Sequence, residues 1–360
     1  MNKNKIKIIY LISSLKRCGP VNVLFSIIKN LNRKKFKILI VTFKMEGIDS
    51  RNKDFLQYGV QIYNEKNIVK GIKRIHSILK GNSESVILHS HGVLPDLVNL
   101  FFKKSNCANI STIHSDVFED YPMSFGNFKG FILAKIHCYI LKHLINVACS
   151  ESVHCALKKK ANLNSITIRN GVSFKDSFED KNIIKKSSQI RQPLKIVYVG
   201  SLTKRKNVEF LINSVLKASD MHLELIIVGS GDQYQELKYK YTTFSNIKFC
   251  GFKTDPSCYY QLADIVTSAS LSEGMPMAIL EALSFGCPLL LSNISSHKEI
   301  ISLGPFGQIF NNNRNSYISC LKRTTELIGS NSDIFKKAKD IFSDEIMTEK
   351  YENLYLKMFV

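Results

Sequence analysis

Two carboxylates eight residues apart, Glu273 and Glu281, stand in the stretch SASLSEGMPMAILEALSFGCPLLLS over residues 268–292. Pro276 suits the first turn of a helix, which leaves Glu273 in the loop before that helix and Glu281 inside it. Gly274, Met275, Pro276 and Met277 then form the helix start, where backbone N–H groups can bind a diphosphate. Glu273 can accept hydrogen bonds from sugar hydroxyls beside that site. Glu281, with its paired acceptor oxygens, can hold both hydroxyls of a ribose. A bare pair of glutamates at this spacing is more simply a capped amphipathic helix. The S-E-G-x-P start and the E-A-x-x-x-G-x-P end favour binding.

A second constellation is cationic. Val199-Gly200-Ser201-Leu202-Thr203-Lys204-Arg205-Lys206-Asn207 follows a strand pattern and opens a helix. Cations at a helix N-terminus oppose its dipole, so an anionic ligand would explain the arrangement. Gly229, in Val228-Gly229-Ser230-Gly231-Asp232, sits in another strand-to-helix turn, with a plain turn as the bland account. In the first half, Gly19 follows the first strand in KRCGP and opens a helix, where the backbone can approach a ligand closely. His114 ends a strand in S-T-I-H-S-D, and His89 and His91 end the one before it in LHSHG. The C-terminal end of a strand is where open α/β sheets bind ligands. His114 is the main candidate, His91 the weaker one, and His89 reads as structural.

Positioning these groups requires a scaffold of strands and helices in alternation. Short apolar, β-branched runs occur at Lys7–Ile12, Lys37–Phe43, Val60–Tyr63, Val86–His89, Ile110–His114, Ile145–Cys149 and Ile166–Arg169. Later ones lie at Lys195–Val199, Leu223–Val228, Ile247–Cys250, Ile265–Ser268, Leu289–Ser292 and Gln308–Phe310. Helical patterns such as Val21–Leu31 and Val208–Ala218 separate them. Continuous apolar strands between helices predict buried parallel sheets and an α/β class, with two doubly wound domains. The polar segment 176–193 reads as a linker between a domain over 1–175 and a second over 194–343.

The resemblance is to the retaining GT-B glycosyltransferases of the "glycosyl transferases group 1" family, and it covers nearly the whole chain. That family's fold is two Rossmann-like domains facing across a cleft, the first binding acceptor and the second nucleotide-sugar, and residues 344–360 would cross back to the first. Its E-x7-E motif implies donor-sugar contact for Glu273 and ribose contact for Glu281. Its G-R-L-x-x-x-K-G/N motif implies that Lys206 holds the donor diphosphate. Ser201 stands where the family has a second phosphate-binding arginine, and Lys204 or Arg205 is the candidate replacement. The V-G-x-G-x turn implies that Gly229 lies near the nucleotide, the glycine-rich loop that Gly19 lies near the donor phosphates, and T-x-H that His114 lies beside the donor sugar. His114, Glu273 and Lys206 are thus the expected catalytic group. The reaction implied is transfer of a hexose-type sugar from a nucleotide-sugar, a UDP-sugar by preference, with retained anomeric configuration. No metal or other cofactor is expected, and no D-x-D motif is present.

Charge and cysteine usage narrow the setting. Residues 1–192 carry 32 basic against 13 acidic side chains, whereas residues 193–360 carry 18 against 17. The basic half suits an anionic membrane surface, and the resemblance implies a lipid-linked saccharide acceptor of O-antigen, capsule or related polysaccharide. Arg33-Lys34-Lys35-Phe36-Lys37 and Lys129–His143 are the candidate lipid contacts, the latter alternatively a partly buried helix with snorkelling lysines. Nine scattered cysteines without C-x-x-C or zinc spacing suit a cytoplasmic chain. The expected place is peripheral, at the inner face of the cytoplasmic membrane. The apolar N-terminal run ends in Lys16-Arg17, not in a cleavage site, and reads as a strand. Residues 131–149 are too interrupted by charge to span a bilayer. No nucleic-acid recognition motif accompanies the basic charge. The rival readings are a nucleotide-sugar epimerase of the same fold and a non-catalytic donor-binding subunit.

Overall fold

The computed structural model describes residues 5–80, 85–103, 107–174 and 193–359. The chain divides into two compact units, one of Met1–Gly171 with Asp344–Val360, the other of Val172–Ser343. In chain order the first unit runs β1 Ile6–Ile12, α1 Gly19–Asn30, β2 Phe36–Thr42, α2 Asn52–Leu56, β3 Gln61–Asn64, α3 Ile68–Leu79 and β4 Val86–His91. It continues through α4 Val93–Leu100, β5 Cys107–Ile113, α5 Val117–Phe125, α6 Asn127–Leu141, β6 Ile145–Ala148, α7 Glu151–Ala161 and β7 Ile166–Thr167. The second unit runs β8 Leu194–Val199, α8 Val208–Lys217, β9 Leu223–Val228, α9 Tyr234–Tyr241, β10 Ile247–Gly251, α10 Ser257–Leu262 and β11 Ile265–Ser268. Its remainder is α11 Met277–Leu283, β12 Leu289–Ser292, α12 Ser295–Ser302, β13 Gly307–Phe310, α13 Arg314–Thr325 and α14 Asn331–Phe342. Helix α15, Asp344–Lys357, belongs to the first unit and packs on α1.

Both sheets are parallel, as runs apolar on both faces require. The first has the order β3-β2-β1-β4-β5-β6-β7, the second β10-β9-β8-β11-β12-β13. Each is doubly wound, and its strand order reverses at one place: between β1 and β4 in the first, between β8 and β11 in the second. Loops leaving the carboxyl ends of those strands diverge, and the crevice they leave is where such sheets bind ligands. Beneath it the strands bury Ile9, Leu11, Leu39, Val41 and Leu88 in the first unit. The second buries Ile196, Tyr198, Leu225, Ile227 and Leu290 against Leu211, Ile212 and Tyr317 of its helices.

The boundary falls earlier than the expected residue 175. Val172 donates its N–H to Phe342 O at 2.9 Å and bridges Ser343. The ring of Phe174 meets that of Phe335 edge-on at 5.4 Å. These partners on α14 place residues 172–174 in the second unit. The expected linker falls on residues outside those described, except Pro193.

Candidate functional site

In the second unit the switch point gathers the loop after β8 and the loop after β11. The first contains a 3₁₀ turn, Lys204–Lys206, followed by Asn207 in the left-handed region at φ 52°. That kink ends the turn and starts α8 in a new direction. The two loops are tied by the backbone, Leu271 N–H donating to Arg205 O at 2.8 Å. Across this tie the Arg205 guanidinium donates from Nη1 to Ser272 O at 2.6 Å and to Glu273 Oε2 at 3.0 Å. The Lys206 ammonium donates to Glu273 Oε1, which also accepts from Ser270 Oγ at 2.8 Å. The Glu273 side chain is only 8% exposed. Burial alone would push its carboxyl up, but Lys206 and Arg205, with the bonds from Lys206 and Ser270, outweigh burial and hold it at about 2. Glu273 is therefore an ionised acceptor at any physiological pH.

This geometry revises one sequence argument. The basic turn does oppose the dipole of α8, but Glu273 neutralises part of it from within the unit, so an external anion is not required to explain it. Lys204, Arg205 and Lys206 against one carboxylate still leave positive charge for an anionic ligand. Of the two candidates for the role of Ser201, Arg205 reaches Glu273 and Lys204 is exposed. Ser201 itself is exposed, and its carbonyl accepts from Tyr198 OH at 2.8 Å.

Helix α11 begins after Pro276, which is its N-cap and not its first helical residue, and Glu281 lies inside it. With seven residues its dipole is small, and neither Gly274 nor Met275 is without a partner. Met275 and Met277 are buried. Lys206 and Arg205 thus bring more positive charge to this region than the helix start does. Glu281 accepts from Tyr260 OH at 3.1 Å through Oε2. A Cβ on Gly229, at φ 144°, would meet Gly200 O at 1.8 Å, so the contact between the two turns already demands glycine there.

Tyr260 and Ser270, the residues that orient the two glutamates, escape a reading of the motif alone. Ser270 stands three residues before Glu273, in the alternating Ser268, Ser270, Ser272, which is the one local signal. His297 is also buried close by, with Nδ1 bonded to Ser292 O at 3.0 Å. Its ring is pushed down to about 4 by burial.

In the first unit His114 follows β5 directly and is half-buried. His91 ends β4 and pairs with Thr112 in the β4–β5 register. The two-residue side-chain period of a strand puts His89, His91, Thr112 and His114 on one face, with Tyr10 beside His89 on β1. Helix α15 caps that face. Tyr355 OH bonds Tyr10 OH at 3.0 Å and His89 Nδ1 at 2.7 Å. His89 Nε2 bonds Thr112 Oγ1 at 2.7 Å, and Thr112 bonds Tyr351 OH at 3.0 Å. His91 Nδ1 lies 2.9 Å from His114 Nε2. Burial pushes His114 down to about 4 and His89 to about 3, so the rings are neutral at physiological pH. Gly19 opens α1 with no atom within 4 Å of the place a Cβ would take, leaving open space beside the backbone.

The family described as "Glycosyl transferases group 1" has a sequence model that matches residues 193–325, the part that holds Arg205, Lys206, Glu273 and Glu281. Over 98% of this chain and 99% of the relative, the sequence is 26% identical to the O-antigen biosynthesis glycosyltransferase WclY of Escherichia coli. A UDP-Gal:alpha-D-GlcNAc-diphosphoundecaprenol alpha-1,3-galactosyltransferase of Escherichia coli is 30% identical over 45% of each chain. Among solved structures, Anabaena Alr3699/HepE in complex with UDP-glucose superposes with a TM-score of 0.76 at 18% identity, over 98% of this chain and 99% of that one. At that identity the likeness carries the fold, which is GT-B.

Proposed function

Because the chain belongs to the group 1 glycosyltransferases, we propose that it transfers a hexose-type sugar, with retention, from a UDP-sugar to a hydroxyl of a lipid-linked saccharide in O-antigen or capsule assembly. The observation that carries the reading is the convergence of Arg205 and Lys206 on Glu273 at the switch point of the second sheet. The two cations would take up the charge that develops on a leaving diphosphate, the work a metal does elsewhere. Glu273, ionised and restrained by three donors, would accept from donor-sugar hydroxyls. A carboxylate held this firmly by cations is a poor nucleophile, which favours a one-face reaction in which the leaving phosphate takes the acceptor proton. Glu281, steadied by Tyr260, would hold the ribose. His114 would hold the donor sugar from the first unit.

The acceptor's lipid suggests where this happens. Helix α6 turns Phe128, Ile132, Ile136 and Tyr139 to the outside, Phe128 being 78% exposed and Tyr139 64%. Lys129, Lys135 and Lys142 flank them, and residues 121–150 contain no acidic side chain. Apolar side chains ringed by lysines suit the headgroup boundary of an anionic bilayer. Among the described residues no helix is long and apolar enough to cross a membrane. Sedimentation with anionic but not neutral vesicles, weakened by Phe128→Ser, is the expected result.

Calorimetric titration with UDP-, GDP- and dTDP-sugars tests the donor reading. One donor should bind, and Glu281→Ala should lose it. Transfer from that donor to a saccharide diphospholipid, with the anomeric configuration read by NMR, tests the rest. Release of an epimerised free sugar would point to an epimerase instead, and binding without transfer to a non-catalytic subunit.

A further inference from the structure

His91 is buried, at 3% exposure, between two other imidazoles. Its ring stacks on His89 at 4.6 Å and on His114 at 5.2 Å. Among the described residues its one side-chain hydrogen bond joins Nδ1 to His114 Nε2, and its buried Nε2 has no partner. Among the described residues neither His91 nor His114 has a carboxylate on a ring nitrogen. Asp96, whose charge acts on His114, accepts from Ser90 Oγ at 2.6 Å and pairs with His137 Nε2 at 2.7 Å.

One proton must lie between the two nitrogens of the His91–His114 contact. If it belonged to His114 Nε2, His91 would carry its own proton on Nε2, a buried N–H with nothing to receive it. If it belongs to His91 Nδ1, the buried Nε2 is a bare lone pair. Orphaned buried N–H groups are the rarer and costlier arrangement. We propose that His91 is a positioning residue for His114: its Nδ1–H donates to His114 Nε2 and fixes His114 as the tautomer protonated on Nδ1. His114 Nδ1 makes no hydrogen bond to the described residues, and the side chain is partly exposed. The group it offers a ligand is then a neutral N–H donor, which suits a sugar hydroxyl oxygen or a carbonyl oxygen and disfavours a cationic partner. His89 serves as the floor of the stack, itself bonded at both nitrogens to Tyr355 and Thr112. The tautomer assignment stands on this geometry alone, whereas its use on the donor sugar rests on the function proposed above.

Long-range proton–nitrogen correlation spectra of the full chain, labelled with ¹⁵N-histidine, distinguish the two tautomers directly and need no ligand. The expected pattern for His114 is a protonated, pyrrole-type Nδ1 and a pyridine-type Nε2. The opposite assignment overturns the proposal. His91→Leu removes the donor and should return His114 toward a mixed or Nε2-protonated pattern. His91→Asn, whose amide N–H₂ can occupy the place of Nδ1–H, should keep the native pattern. An unmoved pattern in His91→Leu overturns the proposal as well. Should that variant fail to fold, the wild-type spectrum and the Asn variant decide the matter. With UDP-glucose and UDP as probes, the preference for the sugar-bearing ligand should fall about fivefold in His91→Leu, the worth of one hydrogen bond, and less than about twofold in His91→Asn. A native tautomer with an unmoved preference would keep the assignment and remove His114 from the donor site.

Discussion

At the switch point of the first sheet the polar groups are neutral, buried and stacked; at that of the second they are charged, paired and partly open. His89, His91 and His114 lie in a column under helix α15; His89 is bonded to Tyr355 and Thr112, which in turn bond Tyr10 and Tyr351, while His91 bonds His114. Arg205, Lys206 and Glu273 instead meet across two loops, with Ser270 and the Ser272 carbonyl as neutral partners. The backbone topology of the two places is the same, so topology did not choose the chemistry. A buried neutral network specifies geometry because every donor needs its acceptor. An ion-pair cluster specifies charge and can exchange one anion for another. The first suits orientation of a sugar, the second capture of a diphosphate.

Acid separates the two most strongly. The histidines are held neutral by the fold, His89 at about 3, His114 at about 4 and His91 well below its ordinary value, burial being the main cause in each. An unfolded chain binds protons near pH 6.5 while these sites do not, so stability falls as pH drops from about 6.5 toward 4. At pH 5 His89 and His114 each remove about 2 kcal/mol. The second unit has one comparable group, His297 at about 4. Glu273 acts the other way. Its contribution is present above the ordinary carboxylate range and is lost only as pH falls toward about 2. Hydrogen exchange at pH 7.5 and 5.0 should show β4 and β5 losing protection before β8 and β11. The reverse order would break the contrast.

Glu273→Ala strikes the charged cluster. It leaves Lys206 and Arg205, 16% and 26% exposed, without their shared anion. A cost of about 3 kcal/mol is expected, at the low end for a broken buried pair because both cations can turn toward water. Thermal unfolding measures it, and protection should fall in the second unit while the first is unchanged. Tyr355→Phe is the matching change in the neutral network. It removes the hydroxyl shared by Tyr10 and His89, for about 1–2 kcal/mol, and its effect should be confined to β1 and β4.

Much of this was legible in the residues. All thirteen apolar runs became strands, the central ones because a strand buried on both faces needs nothing but its own composition to be recognised; the edge strands β3 and β7 are only half-buried or exposed. Motif and spacing single out Glu273, Glu281 and Lys206, and the structure brings Glu273 and Lys206 together. What local sequence does not contain is partnership over distance. Glu273 meets Arg205 across 68 positions, and only the strand order β8–β11 brings those loops together. The end of the first unit differs from the expected residue 175 for the same reason: nothing local to Val172 announces its partners at Phe342 and Ser343. The His91–His114 contact likewise depends on the β4–β5 register.

The finest test of the contrast lies at Glu281, where a neutral group supports a charged one. Tyr260 is buried with its ring stacked on Phe285 at 5.5 Å, and its hydroxyl bonds Glu281. Tyr260→Phe keeps the ring and its packing. Glu281 is partly exposed, so water can replace the lost donor, and the stability cost should stay below about 1 kcal/mol. The cost that remains is order: Glu281 must give up rotamer freedom on binding that Tyr260 had already removed. UDP affinity should therefore fall about threefold, while 2′-deoxy-UDP, with one ribose hydroxyl fewer to engage the carboxylate, should lose less. An equal loss for both ligands would mean that Tyr260 acts on the fold of α10 and not on the carboxylate, and the ribose role of Glu281 would lose its structural support.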